Sequence, residues 1–245
     1  MPSVPKWMAN AMEALFSGSY LPVTVSKIQM LTPHFKQICF EGNLQKTKKQ
    51  FIPGNIIEFR VNDTQFRHYT PSYFNHDKGI CEIIFYLHQQ GEGSQWATKL
   101  QTGDELKLIG PGGKISYDPQ ADLHFVFGDE TAIGLMNCLA KTVQENKKNY
   151  YCLAELDAKN KEIIPRIDFE LNVCEKSHPK KANPAIVKIN ELLKNYKSQK
   201  EKIAFYLVGN AKSIVNVRKN LIEQNINHKK QIQTEPYWVE GKKGL

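Results

Sequence analysis

The pattern of apolar and polar positions changes period once along this chain, close to residue 118. Between Tyr20 and about Tyr117, short runs rich in β-branched and aromatic residues are separated by turn residues: Pro22–Met30, Phe35–Phe40, Ile56–Val61, Ile80–His88 and Leu106–Ile109. Runs of that length and spacing predict a small antiparallel barrel. Beyond Asp118-Pro119, the continuous apolar run Leu123–Phe127 reads as a buried strand. A helix over Ala132–Gln144 follows, then strands over Tyr150–Glu155 and Phe169–Val173, a helix over Pro184–Tyr196, a strand over Ile203–Val208 and a helix over Ala211–Gln224. Strands alternating with helices imply a mostly parallel sheet that gathers ligands at the carboxyl ends of its strands. The expected organisation is a helix within residues 1–18, a barrel over 19–118 and an α/β domain over 119–245, with the linker near 118–121. Trp7, Met8, Met12, Leu15 and Phe16 fall at helical spacing, which predicts a short helix packed on the barrel.

Composition narrows the class. A chain of 245 residues, 41% hydrophobic and 24% charged, suits a globular protein with two modest cores. The N-terminus carries Lys6, Asn10 and Glu13 without an uninterrupted apolar run, and no stretch is long enough to span a bilayer, so a cytoplasmic protein without stable membrane insertion is expected. Five cysteines, at 39, 81, 138, 152 and 174, form no Cys-x-x-Cys pair, so no disulfide framework, zinc ribbon, iron–sulfur cluster or other metal site is expected. Charge is uneven: residues 1–140 hold 12 Lys/Arg against 13 Asp/Glu, and residues 141–245 hold 21 against 12. A basic second half attracts anions. Nucleic acid is not the expected partner, since no helix-turn-helix, finger or aromatic RNA-binding motif accompanies the charge.

The chemistry concentrates in Arg67-His68-Tyr69-Thr70-Pro71-Ser72. In an extended segment Arg67 and Tyr69 point to the same face, so a guanidinium can hold a phosphate while the neighbouring ring covers a flat heterocycle. Thr70 precedes a proline, which restricts its backbone and places its hydroxyl to donate to a ring nitrogen. That combination suits a flavin. Gly91-Glu92-Gly93-Ser94 precedes a predicted short helix, Gln95–Leu100, with Ser94 as its N-cap. Glycines at a helix N-terminus let backbone N–H groups approach a diphosphate, and a diphosphate site favours FAD over FMN. His88 is a candidate supporting contact.

The Pro53-Gly54 turn into Ile56–Val61, Arg67-x-Tyr69-Thr70, Gly91-x-x-Ser94 and Gly110-Pro111-Gly112-Gly113 occur in the order found in the flavin-binding barrel of the ferredoxin reductase-like superfamily, which the chain resembles. Gly128-Asp129-Glu130-Thr131-Ala132 then resembles a signature of its siderophore-interacting protein branch, as do Leu207-Val208-Gly209-Asn210-Ala211-Lys212-Ser213, Arg218 and Tyr237-Trp238. Departures are Pro71-Ser72 where a second arginine is common, Asn210 in place of glutamate, and acidic Glu92. The resemblance implies a two-domain fold, an antiparallel flavin-binding β-barrel followed by an α/β nucleotide-binding domain. It implies an FAD-dependent reductase that passes electrons from NADH or NADPH to a ferric siderophore and releases ferrous iron, with Tyr69 and Thr70 positioning the flavin ring; a monomer is expected. The chain has no Gly-x-Gly-x-x-Gly clamp, so a nicotinamide cofactor is expected near Lys212, Ser213 and Arg218. Thr131 is a further candidate contact, and Asp129 is open to two roles, helix cap or ribose ligand. Lys229, Lys230, Lys242 and Lys243 are candidate walls of a shallow basic groove for an anionic chelate. Two alternatives stand beside this reading: a flavin reductase for a ferredoxin- or flavodoxin-like protein, and a non-catalytic ferric-chelate-binding flavoprotein.

Overall fold

The computed structural model describes residues 5–15, 20–47, 49–196 and 199–242. The chain divides into two compact units that meet between Ser116 and Tyr117. In the first, strands β1 (Tyr20–Thr32), β2 (Phe35–Gly42), β3 (Ile56–Asn62), β4 (Gln65–Tyr69), β5 (Tyr73–Asn75), β6 (Ile80–Tyr86) and β7 (Glu105–Gly112) form one antiparallel sheet in the order β4-β3-β7-β1-β2-β6-β5. The sheet curls so that alternate residues of each strand turn inward, and Val23, Val25, Ile38, Phe40, Ile57, Phe59, Ile83, Phe85 and Leu108 fill the core. Hydrogen bonding ends at β4 on one side and β5 on the other, which leaves Arg67 and Tyr69 on an edge strand.

The predicted N-terminal helix forms as α1 (Lys6–Leu15). It is tethered by polar contacts, Lys6 Nζ to Asp63 at 2.7 Å and Arg60 Nη1 to Asn10 Oδ1 at 3.0 Å. Its apolar positions do not pack on the barrel as expected: Trp7 is 69% and Leu15 80% exposed. The side chain of Met12, and Phe16, lie outside the described residues.

The second unit is a five-stranded sheet, all parallel, of β8 (Leu123–Asp129), β9 (Asn149–Leu156), β10 (Asn172–Glu175), β11 (Ile203–Asn210) and β12 (Ile232–Trp238), in the order β10-β9-β8-β11-β12. Helices α3 (Ile133–Glu145), α4 (Asn183–Asn195) and α5 (Ala211–Glu223) complete it. Every residue of β8 and of β11 is buried, as continuous apolar runs require of central parallel strands. β10 lies later than the Phe169–Val173 expected, because its ladder with β9 begins only at Asn172, opposite Leu153. β12 was not legible as a strand: it reads Ile-Gln-Thr-Glu-Pro-Tyr-Trp, and Pro236 is tolerated because β12 is an edge. Among the described residues no helix is long and apolar enough to cross a membrane, and no group of three His, Cys, Asp or Glu side chains is placed to hold a metal.

Candidate functional site

The barrel part of the site is built on β4. Alternation puts Arg67 and Tyr69 on one face and turns His68 the other way, its Nε2 2.8 Å from Glu58 Oε2. The Arg67 guanidinium is steadied by its own strand, Nη1 donating to Phe66 O at 2.8 Å and Nη2 to Gln65 Oε1. Tyr69 lies near-parallel to Trp96, with ring centroids 5.9 Å apart, and edge-on to Phe85 at 4.8 Å. Its hydroxyl is buried with no partner among the described residues. Burial drives this phenol well above its ordinary pKa, so it remains an O–H donor. Thr70 follows it, buried.

Facing these residues is the first turn of α2 (Glu92–Lys99). A Cβ on Gly93 would stand 2.7 Å from Tyr69 Oη and 3.3 Å from Arg67 Cγ, so the helix reaches this face only because residue 93 has no side chain. The helix begins three residues earlier than expected, and Ser94 is not its N-cap. Gly91 holds that position without a capping side chain, and Ser94 Oγ instead accepts from Gln89 N at 3.1 Å. The reason is local: Gly91 adopts φ +79°, which starts the helix ahead of Ser94. His88 lies beyond the end of β6, exposed, 3.8 Å from the position of a Cβ on Gly91.

One supporting residue was missed from sequence. Lys36, buried on β2, donates from Nζ to the carbonyls of Ala97 at 2.9 Å, Thr98 at 3.2 Å and Leu100 at 2.9 Å, closing the C-terminal end of α2. The signal was the alternation itself, since Lys36 shares the inward face with Ile38 and Phe40.

In the second unit the carboxyl ends of β8 and β9 carry Asp129 and Glu155 in register. Of the two roles open to Asp129, the structure shows the structural one. Its carboxylate accepts from Thr131 N at 2.9 Å, Thr131 Oγ1, Asn210 N at 2.8 Å and Trp238 Nε1 at 2.7 Å, which occupies its acceptor sites. Asp129, expected as a helix cap or a ribose ligand, is turned inward and ties β8 to the ends of β11 and β12, while the half-buried Thr131 gives its N–H and hydroxyl to that carboxylate. Gly209 permits this with φ +97°, since a Cβ there would lie 2.7 Å from Asp129 Oδ2. Glu130 is equally committed, accepting from Asp157 N and Asn160 Nδ2, both at 2.8 Å, and pairing with Lys176 at 2.6 Å. Burial raises the pKa of Asp129 and of Glu155, and the neighbouring Asp129 charge raises Glu155 further. For Lys176, ion pairs with Glu130 and Asp157 outweigh the opposing effect of burial and hold the ammonium above its ordinary value.

The basic candidates are scattered. Asn210 caps α5 by accepting from Lys212 N at 3.0 Å and Ser213 N at 3.1 Å, so Lys212 is exposed at the carboxyl edge while Ser213 is buried. Arg218 lies six residues further along α5, about 9 Å down the helix axis, away from that edge. Lys229 and Lys230 precede β12, at the amino end of the sheet, whereas Lys242 follows its carboxyl end. A seven-residue strand, about 20 Å long, separates them, so they do not wall one groove. Lys243 lies outside the described residues.

A curled antiparallel sheet followed by a five-stranded parallel sheet is the architecture of the ferredoxin reductase-like superfamily, and the structure resembles the ferredoxin reductase in carbazole 1,9a-dioxygenase with a TM-score of 0.71 at 15% identity, over 90% of this chain and 70% of that one. Residues 55–115 match the siderophore-interacting FAD-binding domain and residues 121–241 match the siderophore-interacting protein domain, and the chain belongs to the siderophore-interacting protein family. The structure of the siderophore-interacting protein from Acinetobacter baumannii has the same fold, with a TM-score of 0.71 at 21% identity over 91% of each chain. Ferric vibriobactin reductase ViuB of Vibrio cholerae is 28% identical over 177 residues, 72% of this chain and 65% of that protein. The match thus spans just under two thirds of the length of that curated relative.

Proposed function

We propose that this chain is a flavin-dependent reductase that takes electrons from NADH or NADPH and delivers them to a ferric siderophore, from which the iron leaves as the ferrous ion. The observation that carries the reading is the meeting of Arg67, Tyr69 and the bare face of Gly93 at the start of α2, within the segment that matches a siderophore-interacting FAD-binding domain. These residues fit FAD: a buried hydroxyl has no partner among the described residues, a guanidinium is held beside it, and the residue of the helix turn facing both, Gly93, has no side chain. Arg67 would hold the diphosphate by charge-assisted hydrogen bonds, Tyr69 would donate its O–H beside it, and the N–H groups of the α2 first turn would contribute their dipoles. Thr70, next in the chain after Tyr69, and His88, beside Gly91, are the further residues we assign to the flavin. When bound, FAD supplies the acceptance of a hydride and the release of single electrons.

In the second unit, Lys212 at the carboxyl edge of the parallel sheet is the cation we assign to the phosphates of the nicotinamide donor. The anionic chelate is drawn by the basic excess of residues 141–245, which acts on encounter. The ferric-vibriobactin activity in the name of the Vibrio cholerae relative supports a chelate as electron acceptor.

The test is an absorption spectrum of the purified protein, then anaerobic titration with NADH or NADPH and addition of a ferric siderophore with a ferrous-specific chromophore. Bound flavin that bleaches with donor and recovers with ferrous iron formation is the expected result. Recovery only with an oxidised ferredoxin or flavodoxin would assign a protein acceptor, and flavin that no donor bleaches would leave a binding protein.

A further inference from the structure

A cavity outside the Arg67–Tyr69 face opens beside α2. It measures about 420 Å³, within the usual range of small-molecule pockets, and is formed by α2, β3 and the start of β7. Its floor is apolar: Val61, Trp96, Leu100 and Leu106. Its mouth carries three carboxylates, Glu92, Asp104 and Glu105, against the single cation Lys99. Glu92 gives one oxygen to Asn62 Nδ2 at 3.1 Å, and Asp104 gives one to Gln101 N at 2.9 Å. Glu105 is exposed. In a chain whose formal charge is +8, this is a local reversal of sign beside an aromatic ring.

We infer that this cavity is a binding site for an organic ammonium ion with an apolar or aromatic body, distinct from both the flavin face and the acceptor of the proposed reaction. The apolar floor takes the body, the carboxylates take the ammonium, and Trp96 offers the one aromatic ring on which the cation can rest. An anion is disfavoured by the same mouth. The site borders the flavin face along α2: Glu92 at its mouth belongs to the first turn of that helix, and Trp96 lines the cavity and lies near-parallel to Tyr69, with an angle of 19° between the rings. A ligand resting on Trp96 therefore acts on the side chain that positions Tyr69, which makes the cavity suited to an effector.

The test uses three molecules of similar body and different charge: phenethylamine, 2-phenylethanol and 3-phenylpropionate. The full chain labelled with 5-fluorotryptophan gives three fluorine signals, from Trp7, Trp96 and Trp238, assigned by Trp7→Phe and Trp96→Phe. The expected result is a saturable shift of the Trp96 signal with phenethylamine, with the other two compounds much weaker and the Trp7 signal still. Glu105→Lys, on an exposed position that leaves the fold intact by thermal melt, weakens the amine by about three- to fivefold. A Trp96 signal that does not move, one that moves equally for all three compounds, or an amine affinity unchanged in Glu105→Lys overturns the inference. None of these readouts depends on flavin or on reductase activity, so their failure is separate from failure of the proposed function.

Discussion

Replacing Lys36 with methionine removes one ammonium while keeping most of the stem, and the structure says what that ammonium does. Its Nζ donates to three carbonyls at the C-terminal end of α2, at 2.9, 3.2 and 2.9 Å. Hydrogen bonds to a charged group contribute about 1.5–3 kcal/mol each, and a cation at a helix C-terminus adds about 0.3–1 kcal/mol. The full sum is not lost, because removing the charge also removes its desolvation cost, the burial that lowers the Lys36 pKa. The net destabilisation expected is about 2–4 kcal/mol, or roughly 5–15 °C in Tm. Because α2 also presents Gly93 to Arg67 and Tyr69, flavin affinity should fall with it. Calorimetry and flavin titration on Lys36→Met, with Lys27→Met on an exposed position of β1 as control, measure both. A Lys36→Met protein that melts within a degree or two of the control and keeps full flavin affinity would refute the assignment of Lys36 as the cap that holds the phosphate helix in place.

Arg67→Ala should weaken flavin binding by about 10- to 100-fold, as loss of a charge-assisted phosphate contact of about 1.5–3 kcal/mol implies, measured by fluorescence quenching; unchanged affinity removes Arg67 from the site. Asp129→Ala leaves Asn210 N, Trp238 Nε1 and Thr131 N without their acceptor and should cost about 3–5 kcal/mol in urea unfolding, whereas a loss below about 1 kcal/mol would mean that the tie between β8, β11 and β12 is redundant. His124 is buried between Tyr117 and Tyr206, and burial lowers its pKa to about 4. The unfolded chain takes up its proton near pH 6.5 and the folded one only near 4, so stability is lost as pH falls through that window, by at most about 1.4 kcal/mol per pH unit. His124→Gln should flatten that slope, and an identical pH profile in the two proteins would contradict it. Lys212→Glu should raise KM for the nicotinamide donor while Lys230→Glu, at the opposite end of the sheet, leaves it unchanged; equal effects would place the donor elsewhere.

Periodicity was enough to find both units, because each strand or helix must bury one face and the spacing of apolar residues records which. The alternating run at Ile56–Val61 and the unbroken one at Leu123–Phe127 announced strands, and the structure makes them a half-buried antiparallel strand and a central parallel one. The same alternation set Arg67 and Tyr69 on one face of β4, since residues i and i+2 of an extended strand share a face. What sequence could not give was the distant partner of each polar group. Asp129 reads as a helix-start acid that could face ligand or fold, and only the pairing of β8 with β11 and of β11 with β12 delivers the indole of Trp238, 109 residues away, to its carboxylate. Alternation puts Lys36 on the inward face of β2, but its partners appear only when β2 is folded against α2, whose carbonyls wait 61 to 64 residues further on. Lys230 and Lys242 read as walls of one basic groove, yet β12 runs between them and sends them to opposite ends of the sheet. Local pattern fixes which face of an element is buried, but the partners of a buried charge are set by chain closure over long separations, and that information exists only once the elements are packed.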